Sequence, residues 1–364
     1  MPSNLSEFTT LRVGGPALAL VHVTDDLAGA VHEVWASGEP LLVLGGGSNV
    51  VIADDGFDGT ALLVETRGIE RLDVAEPGRV TIRVQAGEPW DGLVAHAVEQ
   101  GWAGIEGLSG IPGSSGAAPI QNIGAYGQEL ESSLVGIEFL DYLSGELVYL
   151  TAAELELGYR TSSLKQGREG VVISIDLSLA QSPDGLSEPI AYDQLASALR
   201  VPLGSRVPLA DVRASVLALR ASKGMVLDAA DPDSVSAGSF FTNPLVGENF
   251  ARTLPADAPR WANAPEPREL VVPLGYEPAV QPERTDFRVK LSAAWLIEHA
   301  GIGKGFSLPG SKAAISTKHT LAITNTGGAT AAEISELARF VQTRVFSEFG
   351  VRLHPEPVFV GHSI

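Results

Sequence analysis

The chain has 364 residues, 45% hydrophobic and 19% charged, enough for two or three folding units at roughly 150 residues per domain and too apolar for a disordered chain. Its formal net charge of −19 has no Lys/Arg cluster to offset it, so nucleic acid is discounted as a partner. The absence of cysteine excludes disulfides, thiolate zinc sites and a cysteine nucleophile, and suits a reducing compartment.

The opening MPSNLSEFTTLRVGG carries no basic segment followed by an apolar one, so no secretory signal is expected. No apolar run approaches the ~20 residues that span a bilayer. A cytoplasmic protein without membrane insertion is the expectation. In TDDLAGAVHEVWASG (24–38), Leu27, Val31, Val34 and Trp35 share one helical face, with Thr24 as the candidate cap and Gly38 as the stop. The apolar run 41–52 is broken by three glycines. In 79–87, Val80, Ile82 and Val84 alternate as a strand with one buried face requires. A helix follows with Leu93, Val94, Ala97 and Val98 inward and Gly101 closing it.

Further on, 135–151 reads as a hairpin turning at Ser144 and Gly145, and 170–179 as a strand with Ile173, Ile175, Leu177 and Leu179 on one face. Polar loops around 181–189 and proline-rich ones around 255–283 are candidate boundaries. The segment 290–301 is helical. In 329–350, Thr330 and Glu333 form a capping box, Ile334, Leu337, Val341, Val345 and Phe349 make the apolar stripe, and Gly350 terminates the helix. The expected fold class is α+β with more than one sheet.

Two uncharged glycine clusters stand out, GGGSNV (45–50) and GIPGSSGAAPIQNIGAYG (110–127). Such ribbons let backbone N–H groups approach a ligand closely, as a diphosphate requires. A Rossmann fingerprint from Gly45 fails at Val50, and no G-x-x-x-x-G-K-[ST] occurs. The seven histidines lack ligand spacing, so no metal site is expected.

GGGSN (45–49), GIPGSSGAAPIQNIGAYG (110–127), GYR (158–160), RASK (220–223), AGSFFTNP (237–244), KLSAAWLI (290–297) and HPEPVFVG (354–361) stand in an order that resembles the UDP-N-acetylenolpyruvoylglucosamine reductases over nearly the whole length. The resemblance implies a two-lobed FAD-binding unit of the vanillyl-alcohol-oxidase type (1–62 and 63–205) and a C-terminal α/β substrate-binding domain (206–364), whose last segment, 351–364, returns to the flavin. It implies non-covalent FAD gripped by Gly45, Gly46, Gly47, Ser48 and Asn49 of the first ribbon. On the second it implies Gly110, Ile111, Pro112, Gly113, Ser114, Ser115, Gly116, Gln121, Asn122, Gly124, Ala125, Tyr126 and Gly127. Ala117 stands where a further glycine is frequent.

The implied reaction passes a hydride from NADPH through FAD to the enolpyruvyl group of UDP-N-acetylglucosamine enolpyruvate, in peptidoglycan synthesis. Three residues match catalytic positions: Arg160 for the substrate carboxylate, Glu356 opposite it, and Ser239 as proton donor. Tyr159, Tyr192, Lys223, Asn243 and His299 match substrate-contacting positions. Tyr192 marks the subtype with a substrate-covering aromatic loop, His299 stands where Gln is common, and Val358 replaces a frequent basic residue. Lacking a second nucleotide motif, the chain is expected to bind NADPH and the sugar in turn at one flavin face, with ping-pong kinetics. A monomer is expected. A non-catalytic UDP-sugar or flavin binder and an oxygen-using FAD oxidase are the competing readings.

Overall fold

The computed structural model describes residues 4–73, 76–263 and 288–364. The first lobe is a parallel sheet in the order Ala17–Val23, Phe57–Val64, Leu41–Leu44. Parallel strands need a crossover, and helix Leu27–Ser37 provides it, burying Leu27, Val31 and Val34 against Leu62 and Val64. Its cap is Asp26 rather than Thr24: the Asp26 carboxylate accepts the Gly29 N–H at 2.8 Å, while the Thr24 hydroxyl donates to Asp25. A carboxylate at this place also meets the positive end of the helix dipole, which a hydroxyl cannot exploit.

The second lobe is an antiparallel sheet in the order Leu147–Thr151, Leu134–Asp141, Gly170–Gln181, Arg79–Gln85, Ile69–Leu72. Val80, Ile82 and Val84 share its core with Leu93, Val94 and Ala97 of helix Trp90–Glu99. The strand Gly170–Gln181 departs from simple alternation. Glu138 pairs with Ser174 but Phe139 pairs with Val172, which leaves Ile173 as an extra, bulged residue. The bulge reverses the phase: Ile175, Leu177 and Leu179 enter the second-lobe core, whereas Val171 and Ile173 pack against the first lobe. A single strand thereby serves both cores, and Ile173 does not share the face of Ile175.

One of the expected boundaries, 62/63, crosses a packed element. Strand Phe57–Val64 runs through 62/63. Helix Leu209–Ala221 buries Val212 and Val216 against Ile190, Leu195 and Ala196, and its Arg213 pairs with Asp91 of the second-lobe helix at 2.6 Å. That helix therefore packs against the second lobe.

The C-terminal core is organised by helix Ala331–Phe349, with the Thr330/Glu333 capping box formed and Ile334, Leu337, Val341 and Val345 fully buried. Helix Ala293–His299 and the hairpin Ala313–Ile315/Ile323–Asn325 pack on it, together with Leu11, Val13 and Val51 from the N-terminal lobe. The last strand, Val358–Val360, returns to pair in parallel with Val50–Ile52. The proline-rich stretch read as a boundary lies, from residue 264 on, outside the described residues. Among the described residues no helix is long and apolar enough to cross a membrane.

Candidate active site

The two glycine ribbons lie side by side. A Cβ on Gly46 would stand 2.7 Å from Gly113 Cα, and one on Gly45 2.1 Å from Ser114 Oγ. Ser48 Oγ donates to Pro112 O at 3.0 Å. The glycines are thus required first for the approach of ribbon to ribbon. Among the described residues the N–H groups of Gly46, Gly47, Ser48, Gly113 and Ser114 donate no hydrogen bond, although Gly47 and Ser114 are buried. Buried amides left without acceptors are costly, and a diphosphate is an acceptor that suits them. A cleft of 460 Å³ opens beside Gly45 and Gly46, lined also by Thr9, Thr10, Arg12 and Asp228. The residues present therefore fit FAD.

The second ribbon then turns into the reacting region through a left-handed backbone at Asn122 (φ 45°) and Tyr126 (φ 50°). Asn122 is buried and its amide is spent within the protein, donating to Gly158 O (3.2 Å) and Glu131 (3.3 Å) and accepting the Glu131 N–H (3.0 Å). Through these bonds its side chain positions the neighbouring turn. In that turn, Gly158 and Thr161 exchange backbone bonds, and Arg160 adopts φ 54°. A non-glycine residue held left-handed costs on the order of 1–3 kcal/mol, so three of them along this ribbon and the turn bonded to it point to a site.

Arg160 is clamped from below. Nη1 donates to Asn122 O (3.2 Å) and Nη2 to Gly124 O (2.7 Å), while Nε lies 3.3 Å from Glu356 Oε1. Gln121 Nε2 donates to the same carboxylate at 3.2 Å, and Gln121 Oε1 accepts from Asn49 Nδ2 at 3.0 Å. Asn49 also donates to Glu356 O. One network therefore joins the first ribbon, the second ribbon, Arg160 and Glu356. Burial pushes the Glu356 carboxyl up, against the opposing pull of Arg160 and Lys165. Burial also lowers the Lys165 ammonium.

Ser239 arrives by its main chain. Phe240, next to it, accepts the Glu356 N–H at 2.9 Å and donates to Leu321 O at 2.7 Å, so Ser239 stands one residue from the backbone that carries the acid. A cleft of 690 Å³ lined by Tyr159, Arg160, Lys165, Asn243, His354 and Pro355, among others, runs past this point. The Tyr159 hydroxyl accepts the Asn243 N–H (3.3 Å), and Asn243 Oδ1 accepts Ala293 N (2.9 Å) at the start of a helix.

A second cluster gathers Tyr126, Tyr192 and Lys223. The two rings meet edge to face at 5.7 Å, and Lys223 Nζ lies over Tyr126 while bonding Gln194 at 2.9 Å. Tyr192 is largely exposed, as a covering loop would be. The structure does not bring His299 into either group: it stacks on Trp295 at 3.8 Å with Asp257 beyond. Val358 is exposed on the returning strand.

Three basic residues escaped the sequence reading. Lys165 stands 3.5 Å from Gln121. Arg12 lines the cleft beside the first ribbon. Arg220 is buried, donates to Met225 O, and has a Nε without a partner among the described residues. Its signal was in plain sight, since it opens the RASK segment from which only Lys223 was chosen.

Comparison with known proteins agrees with this geometry. Residues 231–360 match the UDP-N-acetylenolpyruvoylglucosamine reductase C-terminal domain, and residues 16–151 match an FAD-binding domain. The UDP-N-acetylenolpyruvoylglucosamine reductase of Leifsonia xyli subsp. xyli is 62% identical, covering 99% of this chain and 98% of that protein. That of Salinispora arenicola is 49% identical over 98% of this chain and 94% of its own length. The crystal structure of the Thermus caldophilus reductase superposes with a TM-score of 0.63 at 25% identity, covering 99% of this chain and 98% of that one. An FAD-binding domain joined to this C-terminal domain, with relatives similar from end to end, shows that the chain belongs to the UDP-N-acetylenolpyruvoylglucosamine reductase family.

Proposed function

We propose that this FAD-dependent oxidoreductase reduces the enolpyruvyl group of UDP-N-acetylglucosamine enolpyruvate to give UDP-N-acetylmuramate, with NADPH as the electron source and Ser239 as the proton donor. The observation that supports it most is the meeting of Arg160 and Glu356 at 3.3 Å in a network rooted in both glycine ribbons. When bound, FAD supplies the hydride that reaches the vinyl carbon. The chain's own residues handle charge and proton.

Arg160 receives the substrate carboxylate with the N–H groups that its backbone clamps leave over, and meets the charge that grows there. Glu356, raised by burial, lends a hydrogen bond across the substrate. Ser239 Oγ gives its proton to the carbon next to the one that received hydride, and recovers it from solvent. A carbon-centred enolate is basic enough to accept from a hydroxyl held in place. Tyr159, Asn243, Lys223 and Tyr192 hold the sugar nucleotide, and NADPH precedes it at the same face.

The test is anaerobic. Flavin-loaded protein should consume NADPH to completion only when the enolpyruvyl sugar is present. Consumption that stops at one equivalent per flavin even with the sugar present, and continues only when oxygen is admitted, would favour the oxidase reading instead.

A further inference from the structure

Lys165 belongs to no motif, yet it is stitched to the segment that carries Gln121. Ser162 Oγ accepts the Lys165 N–H at 3.2 Å and donates to Ile120 O at 2.6 Å, and the Gln166 N–H returns to Ser162 O at 3.0 Å. Ser162 is buried, so the main chain of this turn is fixed against the residue before Gln121. The Lys165 side chain lines the 690 Å³ cleft beside Tyr159 and Arg160, with Nζ 3.5 Å from Gln121 Oε1. At that length the hold is electrostatic more than a short hydrogen bond.

Two donors therefore converge on one carbonyl. Asn49 Nδ2 reaches Gln121 Oε1 at 3.0 Å, and the orientation of Asn49 is itself settled, because the same nitrogen donates to the main-chain Glu356 O at 3.3 Å. Gln121 Nε2 is left to donate to Glu356 Oε1 at 3.2 Å, the oxygen that also lies 3.3 Å from Arg160 Nε. An oxygen that faces two N–H donors has no place for a proton of its own. Among the described residues Glu356 Oε2 makes no hydrogen bond, so a proton on this acid sits on Oε2. With Gln121 reversed, its carbonyl would face the acid and accept that proton, and the acid would be spent on its neighbour. The reversed amide would also set its NH2 group against the Lys165 ammonium and the Asn49 amide, which repel it.

We propose that Lys165 is a positioning residue for the reaction: acting with Asn49 through the Gln121 amide, it reserves Glu356 Oε1 as an acceptor and leaves the acid proton on Oε2, the oxygen free to donate. This rests on the proposed function, which needs Glu356 to lend a hydrogen bond to the substrate. Arg160, Lys165 and Tyr159 are the titratable groups that face the carboxyl. Burial raises it and the two cations oppose burial, so removal of the ammonium raises it further.

The test uses flavin-loaded protein. Lys165→Met should keep its flavin and hold KM for the enolpyruvyl sugar within about threefold, while kcat falls on the order of 10-fold; Lys165→Arg should keep about half of native kcat. The double variant Lys165→Met, Gln121→Leu should be no slower than Gln121→Leu alone, since the lysine then has no amide to hold. Losses that multiply, or a raised KM with kcat unchanged, would make Lys165 a group that meets substrate directly and overturn the inference. A second measurement needs no turnover. In infrared titration, the Glu356 carboxyl band, identified by its loss in Glu356→Gln, should titrate at higher pH in Lys165→Met and shift in frequency, as part of the acid turns its proton to a reversed amide; Lys165→Arg should restore both. A band that Lys165→Met leaves unmoved overturns the inference even where kcat falls. If the native protein does not turn over the sugar, the proposed function fails, and the infrared band still decides what Lys165 does to Glu356.

Discussion

Arg160→Lys keeps the charge and removes the fork, and its cost can be worked from the contacts. A guanidinium has five N–H donors, of which three are committed to Asn122 O, Gly124 O and Glu356. Two remain, one on each terminal nitrogen, spaced to meet both oxygens of a carboxylate. A lysine ammonium has three donors on one atom and cannot serve two carbonyls, Glu356 and a ligand together. Losing one preorganised donor to a developing anion costs about 2.7–4 kcal/mol, or about 100- to 1000-fold in rate. Turnover of the enolpyruvyl sugar by Arg160→Lys should fall in that range, while flavin reduction by NADPH, measured anaerobically in a stopped-flow instrument, stays within about threefold of the native rate. A variant that retains more than a tenth of native turnover would refute the role of the fork. An equal fall in both half-reactions would move Arg160 from substrate to cofactor binding.

Ser239→Ala should leave flavin reduction by NADPH intact and abolish multiple turnover; an unchanged steady-state rate removes the serine from the reaction. Glu356→Gln separates stability from activity. Because burial raises the native carboxyl, its contribution to stability is complete below the unfolded pKa and is lost as pH rises through the folded one, so the amide should raise Tm near neutral pH, leave it unchanged or lower in acid, and cut turnover at least ~100-fold; a Tm difference that does not depend on pH contradicts this. Gly38 and Gly47 form a matched pair, both left-handed at φ 74° and 56°, but a Cβ on Gly38 meets nothing within 4 Å whereas one on Gly47 would stand 1.9 Å from Phe8 O. Gly38→Ala should cost only ~1 kcal/mol with normal flavin content, and Gly47→Ala several-fold more with loss of the yellow colour on purification; equal effects would show that space at the ribbon is not limiting.

What could be read from the sequence follows the range of the forces involved. Helix Ala331–Phe349 was legible end to end, because the capping box and the stripe from Ile334 to Val345 are local patterns. The bulge at Ile173 was not, since it answers to a register with Glu138 and Phe139 and to a second lobe that must be covered. The same division holds at the site. Residues inside an ordered motif, such as Arg160 and Glu356, could be named. Lys165 and Arg12 carry no motif of their own and acquire meaning only from what the fold sets beside them. Asn122 shows what the ribbon pattern does not carry: its side chain is bonded to Gly158 and Glu131, partners that only the fold brings to it.

The returning strand explains how chemistry built from distant segments stays in register. Val358–Val360 pairs with Val50–Ile52, so the ladder begins one residue after Asn49 and two residues after Glu356. Val358 N donates to Asn49 O at 2.9 Å, and Asn49 Nδ2 reaches back to Glu356 O. The first glycine ribbon and the acid therefore enter the same end of one parallel ladder, side by side, with no flexible linker between them. The partner strands are more than 300 residues apart in sequence, so the entropy of closing that loop is met once, in folding, and not again at each turnover. Arg160 and Gln121, coming from the second lobe, then tie the other ribbon to the same carboxylate. Cofactor grip and acid placement are mechanically one structure, which is why a substitution in either ribbon should be felt at Glu356.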